Sequence, residues 1–172
     1  LNRFAPHLIP VLAVTGGLLE LAAEPDMAQS MSEYVRKQIR LIAFQLEKGL
    51  FLQAVTLGRE VLITLYMIRM CLDSDWRDAD VRHEVSRTLT GGSLAMQNRP
   101  YEKTRYSDDL IRYPDWKELV LIWTRISDLR NNLAHCGMNL RDDSVRSIRK
   151  RASDILSDIE RFFFLCVHEK RE

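Results

Sequence analysis

From residue 50 to residue 72 the chain is almost continuously apolar. Its polar exceptions, Gln53, Thr56, Glu60 and Thr64, recur every three or four positions and form one stripe. That period belongs to a helix, and the apolar residues on its other sides predict a central place in the core. Ahead of it, Val35, Ile39, Ile42 and Leu46 repeat at helical spacing, which leaves Arg36, Lys37, Arg40, Glu47 and Lys48 to face water. Ser30 or Ser32 is expected to cap this helix, and Gly49 to end it. A shorter helix is predicted over residues 78–90, where Val81, Val85 and Leu89 share a side. From about residue 115, Trp116, Leu119, Val120, Trp123, Ile126, Leu129, Leu133 and Ala134 fall on one broad apolar face at ~100° per residue. A last helix, opened by Asp142 and Asp143, carries Val145, Ile148, Ala152, Ile155, Ile159, Phe162 and Cys166 as a packing seam.

The remaining stretches fit between these elements. Residues 4–23 are largely apolar, but Pro6, His7, Pro10, Gly16, Gly17 and Glu20 interrupt them, so no membrane span is expected. No basic region or cleavage site marks a signal peptide. Residues 8–23 read as a helix with a weak middle, either a connecting element or an interface helix, followed by a break at Glu24-Pro25-Asp26. Residues 91–114 read as a long loop holding Gly91, Gly92, Asn98, Pro100 and Pro114. The predicted fold is all-α, a bundle of about five to six helices with a long loop before the helix that starts near residue 115. Residues 1–27 connect, and residues 28–172 form the domain.

Charge and cysteine content narrow the function classes. The 25 Lys and Arg residues nearly balance 24 Asp and Glu, so any nucleic-acid site must be local. Cys71, Cys136 and Cys166 are odd in number and lack CxxC spacing. That argues against a disulfide framework or a zinc site and fits a cytoplasmic protein. His83 has no second ligand nearby at metal spacing. No Gly-rich phosphate loop, HExxH, carboxylate metal cluster or nucleophile elbow is visible, and neither metal nor cofactor is expected. The chain begins with Leu1, which leads us to expect a longer protein with a segment ahead of it.

The polar residues that break the pattern are the candidates for chemistry. Arg130 falls inside an apolar face, where an unpaired guanidinium is costly. Asn131 and His135 are four apart and share a neighbouring face, and Gly137 offers a helix stop. These residues either cluster at the helix end as a site, or divide into a snorkelling or ion-paired arginine and a helix-end histidine. Glu60, with Arg59 beside it, either belongs to a solvated stripe with local ion pairs or orients Arg130 or His135 from behind. In the loop, Arg99, Lys103, Arg105 and Arg112 alternate with Tyr101, Tyr106 and Tyr113. Such a mixture grips single-stranded RNA through phosphates and stacking, or forms an ordinary solvated loop with tyrosines on the bundle. Arg146, Arg149, Lys150 and Arg151 crowd the start of the last helix, as an RNA path or as a solvated face.

The string RNNLAH at residues 130–135 resembles the signature of the HEPN superfamily: an arginine, a polar residue directly after it, and a histidine a few positions on. The longer string LRNNLAHCGMN resembles the HEPN part of the CRISPR-associated type III accessory ribonucleases, and the similarity spans roughly residue 28 to the end. The chemistry of Arg and His agrees with this. The ribose 2′-OH supplies the nucleophile for metal-free RNA cleavage, so the protein must stabilise phosphoryl charge and move protons. Arg130 suits the first task, because its planar fork matches phosphate oxygens. His135 suits the second, because imidazole titrates near neutral pH. Asn131 can hold a phosphate oxygen or fix the His135 ring. One Arg and one His per chain is sparse for in-line cleavage, and a symmetric homodimer would supply two of each.

The resemblance implies the same composite site across a two-fold dimer, and products with a 2′,3′-cyclic phosphate and a 5′-OH. It also implies a CARF sensor domain ahead of this one, controlled by cyclic oligoadenylate. Residues 1–172 hold no stretch that resembles such a domain, so no activator-binding residue carries over. Two other expectations stand beside it: a HEPN toxin of a toxin–antitoxin pair, which would normally start at its own Met, and a non-catalytic helical module for dimerisation or RNA binding.

Overall fold

The structure, a computed structural model, describes residues 31–72, 76–134 and 144–168. Numbered from the first described, the helices are α1 (Met31–Glu47), α2 (Phe51–Arg69), α3 (Ala79–Met96), α4 (Ser107–Arg112), α5 (Trp116–Ala134) and α6 (Val145–His168). No strand occurs among the described residues, and the fold is an all-α bundle, as the periodicity predicts. The helix over residues 8–23, the boundary at residue 27, the Ser30 cap, the Gly137 stop and the Asp142–Asp143 start lie outside the described residues, and Ser32, the other expected cap, lies inside α1.

The bundle is built around α2, which packs against α1, α3, α5 and α6. Every residue from 61 to 68 is buried, so a full helical circumference is covered there. By length and hydropathy α2 is the described helix that could cross a membrane, but its apolar sides are occupied by the neighbouring helices. At Gly58 a Cβ would lie 2.6 Å from the Ile126 Cδ1 of α5 and 3.4 Å from the Ile159 Cδ1 of α6. A glycine there lets three helices approach closely. On the outside, Arg125 pairs with Asp158, and Arg161 with Glu118 at 2.6 Å, tying α5 to α6.

The helix ends follow local chemistry. Gly49 has φ +74°, and the Leu50 amide donates to the Gln45 carbonyl at 2.8 Å. This closes α1 at the predicted glycine. Asp78 caps α3 by accepting from the Asp80 and Val81 amides at 2.8 and 3.0 Å.

Two stretches differ from the sequence expectation. Helix α3 does not stop at residue 90 but runs through Gly91 and Gly92 to Met96. A Cβ at Gly91 would meet the Tyr101 ring at 2.8 Å, and one at Gly92 would meet Leu110 Cδ2 and Val120 Cγ2 at 2.9 Å each. The glycines therefore serve close packing, not a break. The expected long loop shrinks to residues 97–106, followed by the short helix α4. Among the contacts that fasten that loop to the bundle, the Tyr66 hydroxyl donates to the Tyr106 carbonyl (3.1 Å), the Thr88 and Thr104 hydroxyls share a bond (2.6 Å), and Glu84 accepts from the Arg105 amide (3.2 Å). At the other difference, Val145 is 67% exposed and does not join the α6 seam. Helix α6 runs parallel to α2, with Arg149 over the Phe51 ring, so positions ahead of Ile148 extend past the start of α2. The Ala134 end of the α5 face is exposed as well.

Two predictions test this packing. Gly92→Val should destabilise the fold by about 1–3 kcal/mol through overpacking against Leu110 and Val120, read by chemical denaturation. Burial raises the pKa of the Tyr66 hydroxyl, and Asp109 and Tyr106 add to it; burial likewise raises Tyr113. For these acids the folded state holds its protons above the pH, roughly 10, at which an unfolded tyrosine loses them, so stability falls as pH rises beyond that point. Alkaline titration of stability should show this loss, and Tyr66→Phe should make its slope shallower.

Candidate functional site

Helices α3 and α5 leave between them an open groove of about 350 Å³. Three arginines from three different segments line it: Arg59 of α2, Arg99 just past α3, and Arg130 near the end of α5. Asn131 lines it as well and is exposed, whereas Arg130 is half-buried. Its floor includes Trp123, whose indole is fully covered and donates to the Thr90 hydroxyl at 3.2 Å. Ser93 and Thr124 join their hydroxyls across the groove at 2.7 Å, which fixes α3 against α5.

Arg59 shapes the electrostatics. Its guanidinium sits 4.5 Å above the Trp123 ring, a cation–π contact worth about 0.5–2 kcal/mol. Its Nε is buried with no hydrogen-bond partner among the described residues. Burial lowers the pKa of this guanidinium below its ordinary value, the positive charge of Arg130 lowers it further, and Glu60 partly offsets both. The cation is thus held in a place that disfavours cations, which a bound anion would relieve. Among the described residues, no ion pair holds Arg59, Arg99 or Arg130. Asp128 also lines the groove, leaving an excess of positive charge.

The structure sorts the other candidates. Glu60 does not attend Arg130. Its carboxylate accepts from Arg82 Nη2 at 2.8 Å, and its carbonyl accepts from the same nitrogen at 3.1 Å. Arg82 Nη1 donates to the Thr64 hydroxyl and to the Trp76 carbonyl, each at 3.0 Å. The Glu60 and Thr64 part of the stripe on α2 therefore docks α3, through an arginine 22 positions after Glu60 that a helical wheel cannot assign, while Gln53 and Thr56 are exposed. Lys103 pairs with Asp108 at 2.8 Å, and Arg105 pairs with Glu84 at 2.7 Å while stacking on Tyr106. Arg149 is exposed above Phe51. None of Lys103, Arg105 or Arg149 lines the groove, so of the four expected RNA contacts only Arg99 stands beside Arg130. His135 lies outside the described residues and follows the last residue of α5.

Sequence reasoning missed Asp128 and the hydroxyls of Thr124 and Ser127 as groove residues. A signal existed: Thr124, Ser127, Asp128 and Asn131 recur at spacings of three and four along α5, a polar stripe beside the apolar face. Among the described residues, no group of three or more His, Cys, Asp or Glu converges as a metal site.

Comparison with known proteins returns no family model, no curated protein and no solved structure that matches this chain.

Arg82→Met should lower stability by about 1.5–3 kcal/mol, because it strands several hydrogen bonds at the α2–α3 contact. Glu60→Gln should cost less than about 1 kcal/mol, since the carboxylate is more than half exposed. Equal effects of the two substitutions in urea unfolding would contradict this assignment.

Proposed function

We propose that this chain is an endoribonuclease that cleaves single-stranded RNA by attack of the ribose 2′-oxygen on the adjacent phosphorus. What supports the reading most is the placement of Arg130 and Asn131 in an open groove with two further arginines, on the helix that leads directly to His135. A groove with surplus guanidinium charge suits a phosphodiester, and Arg130 presents a planar donor fork to its oxygens.

In the proposed reaction the 2′-oxygen forms a bond to phosphorus and the bond from phosphorus to O5′ breaks. A base takes the 2′-OH proton and an acid returns a proton to O5′, so no net proton is consumed. The products are a 2′,3′-cyclic phosphate and a 5′-OH. His135 carries one of these transfers, and His135 of a second copy carries the other, which is why we propose a homodimer. Arg130 stabilises the charge that grows on the phosphoryl oxygens, the kind of term that often dominates such catalysis. The motif's likeness to the HEPN part of CRISPR-associated ribonucleases extends the proposal to control by a CARF domain that binds cyclic oligoadenylate.

Incubating the chain with single-stranded RNA in EDTA, beside His135→Ala and Arg130→Ala, tests the reading. Cleavage by the parent should leave cyclic phosphate ends, and His135→Ala should lower the rate by about 10²–10⁴-fold. Equal cleavage by parent and His135→Ala would exclude the proposed role of the histidine. RNA binding without cleavage would instead assign a non-catalytic RNA-binding module.

A further inference from the structure

The groove holds more positive charge than one scissile phosphate requires. Arg130 alone serves the reacting centre in the reading above. Arg59 and Arg99 come from different parts of the chain, Arg59 from the third turn of α2 and Arg99 from the segment just after α3. The fold nevertheless brings both to the same groove, and among the described residues neither has an ion-pair partner. Other basic side chains of the same region do have partners: Arg82, Arg87, Lys103 and Arg105 are all ion-paired. In this region of the fold, the arginines without an ion pair among the described residues are thus the ones that line the groove.

Each has a different setting. Arg59 is anchored on the buried Trp123 ring with its Nε covered, which fixes its position without neutralising it. Arg99 is exposed at the rim, and its amide donates to the Leu94 carbonyl at 2.9 Å, which fixes the backbone that carries it. Asp128, exposed in the same groove, repels phosphate but accepts hydrogen bonds from base amino groups. One groove therefore offers fixed cations for a backbone and a carboxylate for a base edge. That combination fits an extended single strand better than a single phosphate.

We propose that Arg59 and Arg99 hold the backbone phosphates of nucleotides adjacent to the one at Arg130, so that the groove takes an extended single-stranded segment, with Asp128 facing a base. The inference rests on the ribonuclease reading for the identity of the ligand as RNA, but it concerns binding and not cleavage. It assigns Arg59 and Arg99 to substrate grip along the strand.

The test uses a single-stranded 2′-O-methyl RNA of roughly ten nucleotides, which lacks the reacting hydroxyl, titrated into the full chain across a salt series. Each phosphate contact contributes about 0.7 to the slope of log affinity against log salt. Arg99→Ala and Arg59→Met should each lower affinity at low salt and reduce that slope by about 0.7. Asp128→Asn should raise affinity. Arg99→Ala is a surface change, so it keeps the test decisive if Arg59→Met disturbs the packing on Trp123. Unchanged slopes in Arg99→Ala, with circular dichroism showing a folded chain, would overturn the inference. Cleavage of ordinary RNA that depends on His135, together with unchanged slopes, would overturn it while leaving the ribonuclease reading. Reduced slopes without any cleavage would support the grip and remove the ribonuclease reading.

Discussion

The burial of α2 around its whole circumference from residue 61 to residue 68 is the constraint on which the other helices depend. A helix with apolar side chains around most of its circumference needs neighbours on every side, and α1, α3, α5 and α6 supply them. Where those neighbours crowd closest, at Gly58, the chain has no side chain at all. On the side of α2 that faces α3, Arg82 gathers the Glu60 carboxylate, the Thr64 hydroxyl and two main-chain carbonyls. Burying Thr64 beside a guanidinium is tolerable because each polar atom has its counterpart. The arrangement sets the distance between α2 and α3, and with it the position of Arg59 relative to the groove.

Much of this was legible in the sequence, and the parts that were not share a physical cause. Apolar periodicity locates α1, α2, α5 and most of α6, because a buried face must repeat with the helix. Gly91 and Gly92 misled the reading of α3, since glycine marks both chain breaks and close packing. Only the arrival of Leu110, Val120 and Tyr101 against them distinguishes the two. Val145 fits the α6 pattern, but periodicity does not say where a neighbouring helix begins. For the groove, the motif pointed to Arg130 and Asn131. It had no means of showing that Arg59, 71 positions earlier, and Arg99 would share their surroundings, because that proximity is tertiary.

The placement of charge follows the same logic. Along the chain, Lys103 and Arg105 looked like natural companions of Arg99, being close in sequence and interleaved with tyrosines. In the fold they are occupied by Asp108 and Glu84. Basic density in a sequence therefore overstates the positive surface, and what counts is which cations the fold leaves without a carboxylate. Arg59, Arg99 and Arg130 are among those cations and share one groove beside Trp123, where an aromatic face holds a guanidinium without cancelling its charge.

The ties that hold residues 97–106 have a consequence for binding entropy. Tyr106, Thr104 and Arg105 are each bonded to α2 or α3, so the backbone carrying Arg99 is already ordered before any ligand arrives. A ligand entering the groove would need to immobilise side chains, at roughly 0.5–1.5 kcal/mol each, and not a ten-residue loop. Ordering such a loop would cost on the order of 1–2 kcal/mol for every residue fixed. A weak set of polar contacts is then enough for measurable affinity, and the contacts that fasten the loop, remote from the groove, become determinants of how tightly it binds.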